Sequence, residues 1–408
     1  MNEPQKLKRR GSAVVMVLLL TILLVITGAG ILTMGKYSHF AAIQSSSGIA
    51  ARCSADAGLT KALFGMNQIL ESIQKTGGIW SDASLPYVVD ETLLGCDSTF
   101  SYQVVKSPGG DYVITSVGKA GKAQRMVNTT LQLKSLFEYA ILVNGLIELK
   151  NGTTVDAYNV GVGKPGLRIG TNSKVVPSVI SKFGVTIDGS VAVGHGGNPD
   201  TVINSKNEAV ITGDTYPMFE EEEIDFIPVP AYLEALPSQG VLSGDATITT
   251  NSKYDSIFLP GLSNLIVIDG PVELYVLGDI TIGNTDELRI VDVNTNPNAY
   301  LILYAGGDII TQNGCIINNM TTDASKLQIF GLATCTSITF LQGGSFYGAI
   351  YAPNADVKLN NSVEYYGAVV SNSFVQSVGA GFHYDASLRD VSIDDIGVSF
   401  AVNRWNEE

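Results

Sequence analysis

His383-Tyr384-Asp385 is the triplet with the most evident capacity for chemistry, because a histidine beside an aspartate can act as a general base. Side chains alternate along a strand, so His383 and Asp385 would share one face and Tyr384 would take the other. No Gly-x-Ser-x-Gly nucleophile motif stands nearby, so a hydrogen-bonded structural end of a domain is expected. The four cysteines, Cys53, Cys96, Cys315 and Cys335, form no CxxC pair, and the only histidines are His39, His195 and His383. That inventory does not suit a zinc site. If about 20 residues make one coil of a stacked repeat, Cys315 and Cys335 occupy equivalent positions at the strand spacing of about 4.8 Å. They are then a candidate disulfide.

Other motifs are weaker. Gly161, Gly163 and Gly166 are not followed by Gly-Lys-Ser/Thr, so a phosphate loop is not expected. Glu220-Glu221-Glu222-Glu223 and Asp225 lack the spaced Asp/Gly pattern of a calcium loop. A β-helical polysaccharide lyase or hydrolase is the enzyme alternative, but it needs acids clustered along a groove. Most acids here stand in Gly-Asp turns, where Asp bonds its own backbone. The expectation is therefore a chain with no catalytic residue, no cofactor and no metal.

The elements that would position these residues begin with a membrane segment. Residues 11–35 contain no charge, and their centre runs Val14-Val15-Met16-Val17-Leu18-Leu19-Leu20. As a helix they would cover about 37 Å, more than the roughly 30 Å hydrocarbon core. Residues 1–10 hold Lys6, Lys8, Arg9 and Arg10 against Glu3. The positive-inside rule keeps this leader in the cytoplasm, with the bulk periplasmic or extracellular, as in a single-pass inner-membrane protein. The run is too long for the core of a cleaved signal peptide. The whole chain carries −14, and the leader is +3, which leaves −17 beyond it. So acidic a body argues against nucleic acid as a partner.

Residues 36–76 continue the helix, with apolar residues at Leu59, Ala62, Leu63, Met66, Ile69, Leu70 and Ile73. The small residues Ala51, Ala55, Gly58 and Gly65 offer a close-approach face, either for the chain's own sheet or for a second helix. Thr76-Gly77-Gly78 stops the helix. Residues 77–136 read as a small antiparallel sheet: Phe100, Tyr102 and Val104 share a face, a turn falls at 108–111, and strands follow at 112–117 and 125–133. From 137 to 390, short β-branched runs are broken by Gly, Asn and Asp. Tyr347-Gly348-Ala349-Ile350 recurs as Tyr366-Gly367-Ala368-Val369, 19 residues on, and Phe330-Gly331-Leu332-Ala333 stands 17 residues before the first. Such spacing suits a solenoid, with a β-sandwich as the alternative. Residues 214–240, with Pro217, Pro228, Pro230 and Pro237, read as an extended strap or exposed loop. A C-terminal strand and tail occupy 391–408. The fold class expected is mainly β: a long helix, a small antiparallel sheet and a right-handed β-helix-like domain.

Arg10-Gly11, the long apolar helix and Ala55-Asp56-Ala57-Gly58-Leu59 together resemble the N-terminus of PilX-type type IV pilus assembly proteins, which are minor-pilin-like. The resemblance implies cleavage between Gly11 and Ser12. Met16 stands where major pilins carry a glutamate. Tyr347 to Val357, Tyr366 to Val370, Phe382 to Leu388 and Trp405-Asn406-Glu407 resemble a β-helical domain, without assigned chemistry, that follows such N-termini. The resemblance implies a pilus or type II secretion-like assembly, pilin-like partner subunits, the membrane, and a surface or glycan ligand. A static envelope or adhesive protein is the alternative.

Overall fold

The computed structural model describes residues 12–76, 78–161, 166–318 and 320–407. The leader and Gly11, like Gly77 and Gly163, lie outside the described residues. The chain forms two compact units: 1–67 with 81–132 and 401–408, and 68–80 with 133–400.

The first unit is built on helix α1 (Ser12–Thr76). Its early turns are bare: Val14, Leu18, Leu24 and Leu32 are all exposed, and no acidic residue stands in the first turn. This is the one helix among the described residues long and apolar enough to cross a membrane. From residue 51 the helix acquires a buried stripe, Ala51, Ser54, Ala55, Gly58, Leu59, Ala62 and Met66, at the three- and four-residue spacing of one helical face.

That stripe faces a five-stranded sheet: β1 (Tyr87–Thr92), β2 (Ser98–Lys106), β3 (Tyr112–Ala120), β4 (Ala123–Lys134) and, beside β4, the C-terminal strand Ser399–Glu407. β2 and β3 pair antiparallel from Ser98↔Ala120 to Lys106↔Tyr112, and β3 and β4 pair antiparallel from Tyr112↔Leu131 to Ala120↔Ala123. Phe100, Tyr102 and Val104 are buried together, as their alternation predicts. Ser54 Oγ donates to Ser98 Oγ (2.7 Å). A Cβ on Gly58 would run into Ser116 Oγ and sit 3.0 Å from the Phe100 ring. The small residues of α1 thus serve the chain's own sheet. Sequence reasoning did not anticipate β1, or that the C-terminal strand joins β4.

Among the described residues of the second unit, 26 strands, most of them short, form one sheet system in which a strand typically pairs in parallel with the one three elements later. Ile257, Ile280, Ile309 and Ile338 line up in this way, as do Ile266, Leu288, Ile317 and Phe346. All eight side chains are buried. Burial alternates along most of these strands, as in Leu265–Ile268 and Pro271–Val276, so one face of each lies in the core. The paired 19-residue motifs are in register: Tyr347↔Tyr366, Gly348↔Gly367, Ala349↔Ala368. The Phe330 motif is offset, because Phe330 pairs with Tyr351 and not Tyr347.

The Gly-Asp steps have a different role from the one the sequence suggested. Asp279 Oδ1 accepts from Asp308 N (3.0 Å), and Asp308 Oδ1 accepts from Thr336 N (2.8 Å) and Ser337 N (2.9 Å). Each carboxylate satisfies the backbone of the next repeat. The preceding glycines are needed because the chains touch there: a Cβ on Gly307 would meet the Gly278 carbonyl carbon.

The order of stacking is not the order of the chain. Strands Ile141–Val143, Ile147–Leu149 and Thr154–Tyr158 pair with the late strands Glu364–Gln376 and Gly381–Asp385. The first segment (141–217) therefore continues the far end of the later one (241–385). Residues 218–240 return the chain to the opposite end. Nine successive pairings separate Ile203–Ser205 from Val241–Leu242, about 43 Å at roughly 4.8 Å each. An extended strap of this length reaches that distance with ease. It is docked on one side: Met218 and Leu233 are buried, Ile224, Ile227 and Val229 pack on the core, while Phe219, Glu221 and Phe226 are exposed. Glu222 exchanges two hydrogen bonds with Asn172 (2.8 and 3.1 Å) and takes one from Lys134 Nζ (2.5 Å). At its other end, Tyr232 donates to Glu273 Oε2 (2.6 Å). Tyr304, Phe330 and Tyr351 stand on successive paired strands and are all buried.

Candidate functional site

Strand pairing puts equivalent residues about 4.8 Å apart, so an outward column of aromatic residues must stack. Tyr347, Tyr366 and His383 form such a column. The Tyr347 and Tyr366 rings are stacked 4.3 Å apart and nearly parallel (4°), and Tyr366 and His383 are 4.6 Å apart at 23°. Tyr158 meets Tyr366 edge-on at 5.9 Å. The register continues from His383 to Asp156.

His383 is held at both nitrogens. Nδ1 lies 2.6 Å from Asp156 Oδ1 and Nε2 lies 2.9 Å from Glu364 Oε2. Burial lowers the imidazole's proton affinity, but the hydrogen bonds and charges of Glu364 and Asp156 outweigh it, and the pKa is raised above 6.5. A neutral imidazole can donate through one nitrogen only, so the arrangement is complete only in the imidazolium form. Gly381 makes room for it: a Cβ there would collide with Glu364 Oε2 and lie 2.8 Å from His383 Nε2.

The other members of the triplet are buried. Tyr384 is fully buried and its hydroxyl donates to Phe137 O (2.7 Å). Asp385 is also fully buried, and its Oδ1 accepts from Asn159 Nδ2 (3.1 Å), Ser387 N (3.1 Å) and Ser387 Oγ (2.7 Å). Beside it the Tyr158 phenol is pushed well up, by burial and by the Asp385 carboxylate. His383 therefore pairs with Asp156 and Glu364, and not with its sequence neighbour. Glu364 stands two residues before the Tyr366 motif, and the sequence reading did not single it out. Asp156 is 227 residues away, and no local spacing points to it.

Cys315 and Cys335 are free, buried thiols. The disulfide expected between them rested on a 20-residue repeat. The local repeat is 29 residues, as in Ile309↔Ile338 and Ile317↔Phe346, so the two cysteines are not equivalent. Burial pushes the Cys335 thiol up to about 12 and raises Cys315 as well. Of the proposed cleavage pair, Gly11 is outside the described residues and Ser12 opens α1. Gly166 O accepts from Arg389 Nη2 (3.1 Å). An open recess of about 640 Å³ is lined by Pro271, Asn296, Pro297, Asn298, Tyr300 and Lys326. Among the described residues no group of three or more His, Cys, Asp or Glu side chains is arranged to hold a metal.

Residues 262–391 match the family model of a domain of unknown function, DUF7305. No curated protein matches the sequence. Among solved structures, the chain is similar to the competence-associated pilin ComZ from Thermus thermophilus, with 14% identity, a TM-score of 0.27, and coverage of 89% of this chain and 97% of that one. It is also similar to an ice-binding protein from the Antarctic ascomycete Antarctomyces psychrotrophicus (14% identity, TM-score 0.30, 61% and 95% covered). A third is an ice-binding protein from an Antarctic bacterium, Flavobacteriaceae (10% identity, TM-score 0.24, 60% and 80% covered). At TM-scores this low the likenesses do not define a shared fold.

Proposed function

We propose that this chain is a pilin-like, membrane-anchored envelope protein, a minor component of a type IV pilus or type II secretion-like assembly. The observation that carries the reading is the two-part character of α1. Its first turns are apolar and bare, and its later turns carry a small-residue stripe fitted to an antiparallel sheet. A bare apolar helix is stable where hydrocarbon or another apolar helix covers it. The first turns anchor the chain in the inner membrane, with the leader cytoplasmic and the rest outside.

The second unit is the presented part, read as a β-helix. The three-strand period of parallel pairing and the stacked Asp ladders support this reading, and parallel crossovers favour the right hand. Its role is adhesion, tip priming or contact with a surface ligand, and not catalysis: both nitrogens of His383 are engaged by carboxylates. The deciding experiment is N-terminal mass analysis of the native chain with and without its host's prepilin peptidase. A mature chain starting at Ser12, lost without the peptidase, is expected. A chain that keeps Lys6 to Arg10 in both hosts removes the pilus assignment and leaves a static envelope protein.

A further inference from the structure

We propose that His383 is a proton-operated fastener at the seam where the segment 141–217 is stacked on the end of the segment 241–385. The seam is the one junction in the stack that chain connectivity does not enforce. Strands Ile141–Val143, Ile147–Leu149 and Thr154–Tyr158 are followed along the chain by the rest of their own segment and then by the strap. They meet Glu364–Gln376 and Gly381–Asp385 only through space. Its integrity rests on backbone pairing, buried apolar contact and the side chains that cross it.

Among the described residues, three side-chain hydrogen-bond links near His383 cross the seam. Gln376 Nε2 donates to Thr154 O (3.0 Å) and Asn159 Nδ2 donates to Asp385 Oδ1 (3.1 Å); neither has a donor that titrates in the physiological range. The third is His383 with Asp156, and its donor does titrate. The same ring is tied back to Glu364 on its own side of the seam (2.9 Å), so the imidazolium joins a carboxylate from each segment. The groups facing it are Glu364 and Tyr366 from the preceding strand and Asp156 from the following one. Tyr347 and Tyr158 flank Tyr366, and Asp188, held by Thr212 Oγ1 (2.9 Å), continues the column beyond Asp156. No cationic side chain other than His383 is bonded to Asp156 or Glu364 among the described residues. Loss of the proton therefore leaves carboxylates in one column with no counter-charge between them, and repulsion acts across the seam. Gly381 is the enabling residue, since any side chain there would push Glu364 off the ring.

The direction of the effect follows by linkage. The folded-state pKa of His383 is raised above its unfolded value of 6.5. The stabilisation is then fully present below about pH 6.5 and is lost as pH rises through the folded pKa. It also fades at acidic pH, once the carboxylates take up protons.

The test is a proton NMR titration of the full chain in detergent micelles, with the three histidines assigned through His39→Gln and His195→Gln variants. Thermal unfolding at pH 6 and pH 9 accompanies it. The expected result is a His383 midpoint above 6.5, a lower melting temperature at pH 9 in the parent, and less of that pH dependence in His383→Gln. Asp156→Asn should bring the midpoint down. The proposal is overturned if His383 titrates at or below 6.5, or if His383→Gln keeps the full pH dependence. Should His383→Gln fail to fold, the parent's midpoint and its response to Asp156→Asn decide the matter.

Discussion

Gly118, in the middle of β3, lies against the main chain of Ala51 on α1 so closely that a Cβ at Gly118 would overlap the Ala51 carbonyl oxygen and the Ala55 amide nitrogen. Backbone meets backbone here, with no flexible side chain to move aside. Gly118→Ala is expected to destabilise the first unit by about 1–3 kcal/mol or more, the usual range for overpacking. Gly58→Ala should cost less, because its nearest neighbour is the Ser116 hydroxyl, a side-chain atom. Thermal unfolding of the full chain in detergent measures both. A Gly118→Ala variant that melts with the parent would mean that α1 does not sit in this notch.

Asp286 is fully buried and accepts hydrogen bonds from Gly261 N (2.9 Å), Asn264 N (2.8 Å), Asn264 Nδ2 (3.1 Å) and Gly283 N (3.1 Å). Its removal would strand backbone donors from two successive repeats away from water. Asp286→Ala is expected to lower stability by about 3 kcal/mol, since each orphaned buried donor costs about 1–3 kcal/mol. Asp308→Ala, at a half-buried corner of the stacked Gly-Asp ladder, should cost about 1 kcal/mol. Equal shifts in the denaturant midpoint for the two variants would contradict the different burial of the two sites.

Among the docked side chains of the strap, residues 218–240, Leu233 is fully buried and stands beside the Tyr232–Glu273 hydrogen bond. Leu233→Ala is expected to weaken docking by about 2–4 kcal/mol and Tyr232→Phe by about 1 kcal/mol. Limited proteolysis reads this directly, because an undocked extended segment is cleaved first. Cleavage within 218–240 should speed up strongly in Leu233→Ala and modestly in Tyr232→Phe. Unchanged cleavage in both would show that the strap is held elsewhere.

What the sequence conveyed follows from the range of the forces involved. The apolar run before Lys36, the alternation of Phe100, Tyr102 and Val104, and the Tyr347/Tyr366 register are local patterns. Local patterns survive in sequence because side-chain periodicity fixes them. The repeat length was legible only where two adjacent strands are long and similar. Elsewhere the turns vary, so the spacing that aligns Tyr347 with Tyr366 does not hold for Cys315 and Cys335. The doubling back of the stack was hidden for another reason. Asp156 meets His383, and Ile141 meets Val369, through a topology in which an early segment completes a later one. Nothing in either segment's own periodicity encodes that meeting. The strap's prolines and acids mark it as extended, but which of its side chains dock depends on residues distant in the chain, such as Asn172 for Glu222 and Glu273 for Tyr232.

The thiols provide a check on the repeat itself. Cys315 and Cys335 are buried, with Cys335 pushed up to about 12 and Cys315 raised, so at pH 8 neither should offer much thiolate. Cys53 and Cys96 are exposed and free. Alkylation of the native chain at pH 8 is therefore expected to modify Cys53 and Cys96 quickly and the other two slowly. Denaturation without reductant should then release Cys315 and Cys335 together. A denatured chain in which those two still resist alkylation until a reductant is added would carry the Cys315–Cys335 disulfide, in place of the two free thiols seen here.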